Sequence, residues 1–289
     1  MIDNILTGHH SEVLGVNKRN LDYIYPNNGR RYFSLVDEKL RTKEIAADLG
    51  VPVPRTYLTF KDFRELISFE DQIKAYENFV IKPNKGHGGH GILIIGDRTA
   101  NGYLDVHENP LPFRKLKRQV SDILMGAYSY GMNDTAVIEE RIFPSSFLMT
   151  LYPQGLADIR IILYMEQPIM GMLRIPTSLS EGKANLHQRG IGVGLDLSTG
   201  KTIHALYKGK SITKHPDTHQ DLIDLELPFI KEILDICKIV AAKIPLKYLG
   251  FDLTLDEKIG PMLIEINARP GLEIQNVTQK GLLEVLKRV

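Results

Sequence analysis

The chain has 289 residues, 43% hydrophobic and 25% charged, the balance expected of a globular protein with a large core. A formal net charge of +1 offers no strong field to nucleic acid or an anionic surface, and no apolar run of about 18 residues is present to span a bilayer. The single cysteine, Cys237, excludes an intrachain disulfide and a cysteine-based zinc cluster, so a reducing, cytoplasmic location is the default expectation.

Residues 1–37 are polar and turn-rich, and the opening MIDNILTGHHSEVLG has neither the basic flank nor the apolar run of a signal peptide. DEKLRTKEIAADLGVPVP predicts a helix capped by Asp37, with Leu40, Ile45 and Leu49 on one face and a stop at Gly50 and Pro52. DFRELISFEDQIKAYE predicts short helices. ENFVIKP and ILIIG are strands on either side of the loop NKGHGGHG. Residues 97–125 begin as exposed turns and end in a helix, RKLKRQVSDILMGAY, before the strand AVIEERIF. DIRIILYMEQPIMGMLRIPT predicts a hairpin turning at Glu166–Pro168, and EGKANLHQRGIGVGLDLSTGK a Gly-rich loop leading into a further strand pair. An amphipathic helix near 228–243 carries Cys237 among its apolar positions, and GFDLTLDEKIGPMLIEINARPG predicts two strands joined by a tight turn. Irregular alternation with several antiparallel hairpins predicts an α+β fold rather than a doubly wound parallel sheet.

The last hairpin carries the sharpest chemistry. Phe251, Leu253 and Leu255 alternate with Asp252, Thr254 and Asp256, while Met262, Ile264 and Ile266 alternate with Leu263, Glu265 and Asn267. Pairing Leu255 with Met262 sets Asp252 opposite Glu265, about 5 Å apart at Cβ. Two opposed carboxylates repel, and a hard divalent cation resolves the conflict by taking their oxygens. Asp252, Glu265 and Asn267 are therefore the candidate metal ligands, against the alternative of a half-exposed hairpin with a polar outer face.

The loop after ENFVIKP carries Gly86, Gly88, Gly89 and Gly91, which let backbone N–H groups approach an anion, and Lys82 at the strand end adds a mobile positive charge suited to phosphate. It lacks the Gly-Lys-Ser/Thr of a Walker A loop and leads to a strand, not a helix. His87 and His90 in this loop have no companion ligands at metal spacing and read as solvent-facing or phosphate-binding groups. Arg160 shares a strand face with Asp158, Arg174 lies on the return strand, and Arg269 follows the metal hairpin. As a set they suit charge neutralisation in phosphoryl transfer.

In their order these pieces resemble the ATP-grasp superfamily of carboxylate–amine ligases, and within it the RimK-type α-L-glutamate ligase-like family, from about Asp37 to about Asn276. The resemblance implies an ATP-grasp fold of two α/β subdomains gripping ATP, with mostly antiparallel sheets: an N-terminal segment 1–37 in place of a larger domain, a flap subdomain of about 55–140 and a metal subdomain of about 141–289. It implies phosphate contacts from Lys39 and Lys82 and a flap at Gly86, Gly88, Gly89 and Gly91. Adenine would lie against the hinge strand VIEERIF, with Glu139 or Glu140 on its amine side and the Arg141–Ile142 backbone along the ring. The segment KANLHQRG implies roles for Asn185 and His187, and ARPGLE a substrate-site loop carrying Arg269. Arg160, Arg174, Asn185 and Arg269 would line the place where an acylphosphate meets an amine. The implied cofactors are ATP and Mg²⁺, one ion or two, with Mn²⁺ able to replace it. The implied partners are an amino-acid donor, glutamate foremost, and a peptide or amine acceptor, with self-association left open. The acidic residue that often holds the ribose after the hinge is absent, since PSSF stands there. A kinase or a non-catalytic nucleotide-binding protein on the same scaffold are the alternatives.

Overall fold

A computed structural model describes residues 12–86 and 88–289. His87, and most of the opening stretch read as lacking a signal peptide, lie outside the described residues. The chain forms two compact units, one of residues 38–40 and 54–142, the other of residues 41–53 and 143–289 together with the N-terminal segment up to Asp37. No helix among the described residues is long and apolar enough to cross a membrane.

The smaller unit is built on an antiparallel sheet of six strands: β1 (Thr56–Phe60), β2 (Phe79–Pro83), β3 (Leu93–Thr99), β4 (Gly102–Asp105), β5 (Pro110–Pro112) and β6 (Ala136–Glu139), in the order β1-β6-β2-β3-β4-β5. It also holds Lys39, the first residue of helix α1 (Lys39–Asp48). Alternation turns Phe79, Ile81, Ile95 and Ile138 to one face, where they pack with Leu116, Val120 and Ile123 of helix α2 (Phe113–Leu124). Those helical positions recur at i, i+4 and i+7, the spacing of a single buried stripe.

Three expectations change here. The supposed exposed turns of 97–125 contain β4 and β5, with Tyr103 buried and its hydroxyl donating to Ile73 O at 2.7 Å. Pro110 and Pro112 disguise β5, which tolerates them because it is an edge strand. The strand read as AVIEERIF ends at Glu139. Asp37 closes a separate short helix, Ser34–Asp37, and α1, which begins at Lys39, is capped by Asn84: its Oδ1 accepts the Leu40 N–H at 2.9 Å and its carbonyl the Lys39 N–H at 3.1 Å.

The larger unit carries seven antiparallel strands: β7 (Asp158–Tyr164), β8 (Gln167–Ile175), β9 (Ile191–Leu195), β10 (Thr202–Tyr207), β11 (Lys210–Ile212), β12 (Tyr248–Asp256) and β13 (Gly260–Asn267), in the order β11-β10-β9-β8-β7-β12-β13. The β7–β8 turn is Met165–Glu166, both with positive φ (49° and 67°), so Gln167 and Pro168 already belong to β8. The expected turn at Glu166–Pro168 thus begins one residue early; a two-residue turn with both φ positive matches strand twist even without glycine.

One face of this sheet is apolar throughout. Ile159, Ile161, Leu173, Phe251 and Leu253 bury there with Ile233, Cys237 and Val240 of helix α3 (Ile230–Ala241). The opposite face is divided. Ile162, Met170, Met172 and Tyr248 form an apolar half, covered by α4 (Ile274–Thr278), α5 (Leu282–Leu286) and the residues Leu14 and Ile24. Asp158, Arg160, Arg174 and Asp252 form a charged half.

The described part of the N-terminal segment, expected to be turn-rich, is largely helical. It winds through Val16–Lys18, a π-helical Arg19–Ile24 and Tyr25–Asn27. Asn28 then splices it to the sheet. Its amide donates to Tyr248 O at 2.8 Å and Ala268 O at 3.1 Å, and its Oδ1 accepts the N–H groups of Lys247 and Tyr248 at 2.8 and 3.0 Å. Such bonds span more than two hundred residues, so local sequence cannot announce them.

Helix α4 reaches the sheet because β9 presents glycine to it. A Cβ at Gly194 would lie 2.6 Å from Val277 O and 3.0 Å from Thr278 Cα, both backbone atoms that cannot swing aside. We expect Gly194→Ala to cost about 1–3 kcal/mol through overpacking. Gly15→Ala, where a Cβ meets nothing within 4 Å, should stay within about 0.5 kcal/mol of the parent. Urea unfolding midpoints at unchanged slope check both.

Candidate functional site

The charged half of the large sheet is assembled by cross-strand register. Arg160 on β7 opposes Asp252 on β12, Asp252 opposes Glu265 on β13, and Asp158 opposes Arg174 on β8. The pairing of Asp252 with Glu265 arises by a different route from the one expected. Leu255 faces Pro261 rather than Met262, which alone would turn the two carboxylates out of step. The ladder then passes from Leu253↔Leu263 to Asp252↔Glu265, leaving Ile264 as an extra residue. This bulge restores the pair. It also sends Leu263 and Ile266, three residues apart, into the same core, so Leu263 leaves the polar face where strict alternation had put it.

Asp252 is 2% exposed. Arg160 grips it bidentately, Nε to Oδ1 at 2.7 Å and Nη2 to Oδ2 at 2.5 Å, and Arg174 adds Nη2 to Oδ2 at 3.0 Å. Arg174 also donates through Nε to Asp158 Oδ1 at 2.5 Å and through Nη2 to Oδ2 at 2.7 Å. Asn267 Nδ2 donates to Asp252 Oδ2 at 3.2 Å and lies 3.5 Å from Glu265 Oε1. The protein thus answers the Asp252–Glu265 repulsion with guanidinium groups of its own, and a cation is not needed to explain the pair.

Burial favours the neutral form of Asp252, yet the charges of Arg160 and Arg174 outweigh it and hold the carboxyl well below its usual range. Asp158 behaves oppositely. Burial, with the charge of Asp252 adding to it, outweighs Arg174 and pushes its carboxyl up to about 6. Arg174 is raised despite burial, by Asp158 and then Asp252. Sequence reading set Asp158 beside Arg160 without a role; alternation revealed its face, but not its ion pair with Arg174.

Among the described residues no three His, Cys, Asp or Glu side chains gather as a metal site. The candidate set is two carboxylates and one amide. Its chemistry suits Mg²⁺, a hard cation that takes one or two carboxylates and completes its shell from phosphate and water.

The smaller unit carries the other candidates. Lys82 Nζ pairs with Glu139 Oε1, and both side chains are 5% exposed. The charge expected to be mobile is therefore fixed by Glu139, one of the two glutamates, with Glu140, expected on the amine side of adenine. Lys39 Nζ donates to Gly86 O, which ties the first turn of α1 to the root of the Gly-rich loop. The root is further pinned by Asp134, whose carboxylate accepts from Lys85 N at 3.0 and 3.1 Å and from Ser129 Oγ. Gly86 is obligatory, since a Cβ would fall 2.1 Å from Pro83 Cγ. Gly88, Gly89 and Gly91 all have positive φ, between 64° and 77°. His90 is exposed. Neither Asn84 nor Asp134 was among the candidates; an Asn directly after Lys-Pro is a turn signal, but its partners lie 44 to 51 residues away.

Glu140 closes onto Arg55, donating its N–H to Arg55 O at 2.8 Å while its Oε2 accepts from Arg55 N at 3.2 Å. Arg141 and Ile142 follow the end of β6; burial lowers the Arg141 guanidinium and Asp97 opposes that. Asn185 caps the short helix Leu186–Gln188 by accepting His187 N–H at 3.0 Å, and its described contacts do not join the arginine cluster. Arg269 is exposed, its guanidinium 5.3 Å from the centre of the Phe33 ring.

A family model described as sugar-transfer-associated ATP-grasp matches residues 18–289. Comparison with curated protein sequences finds no match. Among solved structures, the ATP-grasp ligase PsnB complexed with its minimal precursor has a TM-score of 0.45 at 16% identity, covering 91% of this chain and 62% of that one. D-alanine–D-alanine ligase from Bacillus anthracis complexed with ATP has a TM-score of 0.48 at 13% identity, covering 88% and 65%. VanG D-Ala:D-Ser ligase from Enterococcus faecalis has 0.49 at 14%, covering 89% and 62%. The chain thus spans less than two thirds of each of these proteins, and at such identities and scores nothing about substrate or partner passes to it.

The Asp158 shift has a thermodynamic signature. Its folded-state carboxyl titrates at about 6, above the ordinary 3.8, so between those values the folded chain keeps a proton that the unfolded chain releases. Stability from this group is therefore lost as pH rises through that window. Asp158→Asn should remove the falling contribution and flatten the dependence of urea midpoint on pH between about 4 and 6 in metal-free buffer. A variant curve parallel to the parent would show that Asp158 titrates normally.

Proposed function

This chain belongs to the sugar-transfer-associated ATP-grasp family and has the α+β ATP-grasp fold; from that premise we propose that it is an ATP-dependent carboxylate–amine ligase. The acid is an amino acid, with glutamate the leading candidate, and the acceptor is a peptide or amine. The observation that carries this reading is the row Arg160–Asp252–Glu265 with Asn267 beside it, a set of oxygen donors with guanidinium groups built into it. The DIR strand and the KANLHQRG segment support a RimK-type kinship.

Asp252, Glu265 and Asn267 would hold Mg²⁺, or Mn²⁺ in its place, which when bound neutralises phosphate charge as a Lewis acid. Lys82, kept in place by Glu139, and Lys39, kept in place by the Gly86 carbonyl, supply positive charge for the triphosphate. The backbone N–H groups of Gly88, Gly89 and Gly91 supply neutral donors. In the reaction a carboxylate oxygen of the acid attacks the γ-phosphorus and ADP leaves. The acceptor nitrogen then attacks the acyl carbon, loses a proton, and phosphate departs with the donor oxygen. Arg160 and Arg174 stabilise negative charge on the acylphosphate, and their rotamers are set in advance by Asp252 and Asp158. No protein nucleophile is required, which agrees with the lack of a Ser–His or Cys–His requirement in the chemistry.

The reaction is tested by following ADP with acid, amine or both present. Release should require both, and ¹⁸O placed in the donor carboxylate should appear in the liberated phosphate. Label retained in the donor while ATP is consumed would replace the ligase with a kinase or an ATPase. Glu265→Gln should keep the fold and lower turnover by about 10²-fold, the loss typical of one electrostatic stabiliser. Turnover within twofold of the parent would remove Glu265 from the metal set.

A further inference from the structure

Arg19, 8% exposed, has no carboxylate counter-charge among the described residues. Its Nε and Nη2 donate to Asn20 Oδ1 at 3.1 and 2.9 Å, and its Nη1 to Pro270 O at 2.7 Å. A guanidinium has five N–H donors, so two are left without a protein acceptor there. A second cation, Arg269, directly precedes Pro270, whose carbonyl Arg19 holds; burial lowers the Arg19 guanidinium, Tyr248 opposes that, and the charge of Arg269 adds to it. Arg269 likewise has no carboxylate among the described residues; it lies over the face of Phe33. Two neighbouring guanidinium groups, one of them buried, are a costly arrangement unless an anion lies between them.

A third group is unspent. The hydroxyl of Tyr248, a fully buried side chain, has no hydrogen-bond partner among the described residues. Burial raises this phenol, and Arg19 is the first group that opposes the rise. Tyr23, one helical turn after Arg19, lies against the Tyr248 ring at a centroid distance of 6.5 Å, which places the arginine and the phenol on the same side of the sheet. Tyr248 shares its strand face with Asp252, and the residue between them on that face is Gly250. A Cβ at Gly250 would lie 2.6 Å from Pro270, so the missing side chain is what lets the Arg269-bearing loop, whose Pro270 carbonyl Arg19 holds, approach the strand.

We infer that Arg19, Arg269 and the Tyr248 hydroxyl form an oxyanion subsite that takes a carboxylate or phosphate group of the substrate. It lies along β12 from Asp252, beyond Gly250. Its donors match such a group: two guanidinium groups for charge and a neutral O–H for orientation. The subsite stands on these residues alone, whereas its assignment to the acid substrate rests on the ligase reading. On that reading the substrate carries a second anionic group, apart from the carboxylate that is phosphorylated, and the subsite selects for it.

The test is calorimetric titration of the full chain with glutarate and, separately, with methyl phosphate, in buffer free of metal and nucleotide. We expect saturable binding of at least one probe, weakened tenfold or more in Arg19→Met and severalfold in Tyr248→Phe. Tyr248→Phe removes an atom that bonds to nothing among the described residues, so it keeps the measurement interpretable if Arg19→Met fails to fold. Binding of glutarate alone identifies a carboxylate subsite, and of methyl phosphate alone a phosphate subsite. Equal affinity in parent and both variants, or no saturable binding of either probe, overturns the inference. Amine-dependent ADP release by the parent chain, measured on the same preparation, tests the ligase reading separately.

Discussion

Asp252 sits under two guanidinium groups on the face of a seven-stranded sheet, and the charged half of that face depends on this clamp. A carboxylate buried to this extent would ordinarily take up a proton. Arg160 and Arg174 keep it ionised, and Arg174 in turn needs Asp158 to satisfy its remaining donors. The four residues are therefore one unit, and removing a single member leaves an uncompensated buried charge, a loss of about 3–5 kcal/mol. Glu265 and Asn267 stand at the edge of this unit.

The smaller unit solves a related problem with fewer parts. Lys82 and Glu139 cancel each other in the sheet interior, while Lys39 spends its charge on a carbonyl at the loop root. In both units the cations are immobilised before any ligand arrives. Groups held this way need little rearrangement when charge develops near them, which is the physical advantage of pre-organisation over flexible lysines at a surface.

The N-terminal segment belongs to the larger unit's architecture rather than preceding it. Asn28 makes four hydrogen bonds to the backbone of β12 and its surroundings, and Gln275 accepts Leu14 N–H at 2.8 Å. Through Arg19 this segment also reaches the loop after the β12–β13 hairpin. A stretch with little helical periodicity thereby shapes the surroundings of the most acidic strand pair.

What the sequence determined by itself follows from periodicity and from chemical type. Alternation in DIRIILY and FDLTLD placed Arg160 and Asp252 on faces opposite their apolar neighbours, the spacing of Ile233, Cys237 and Val240 marked α3, and glycines marked the loop between β2 and β3. The ATP-grasp fold was legible from the order of such pieces. Register was not. The Ile264 bulge decides whether Asp252 meets Glu265, and it comes from the need to bury both Leu263 and Ile266, a demand of the packed core that no local pattern expresses. Nor were partners separated by long loops: Asn84 as the cap of α1, Glu139 as the counter-ion of Lys82, Arg174 as the bridge between Asp158 and Asp252. Sequence supplies each group with its charge and its face, whereas the choice among many opposite charges is made only when tertiary packing excludes water and leaves one of them within reach.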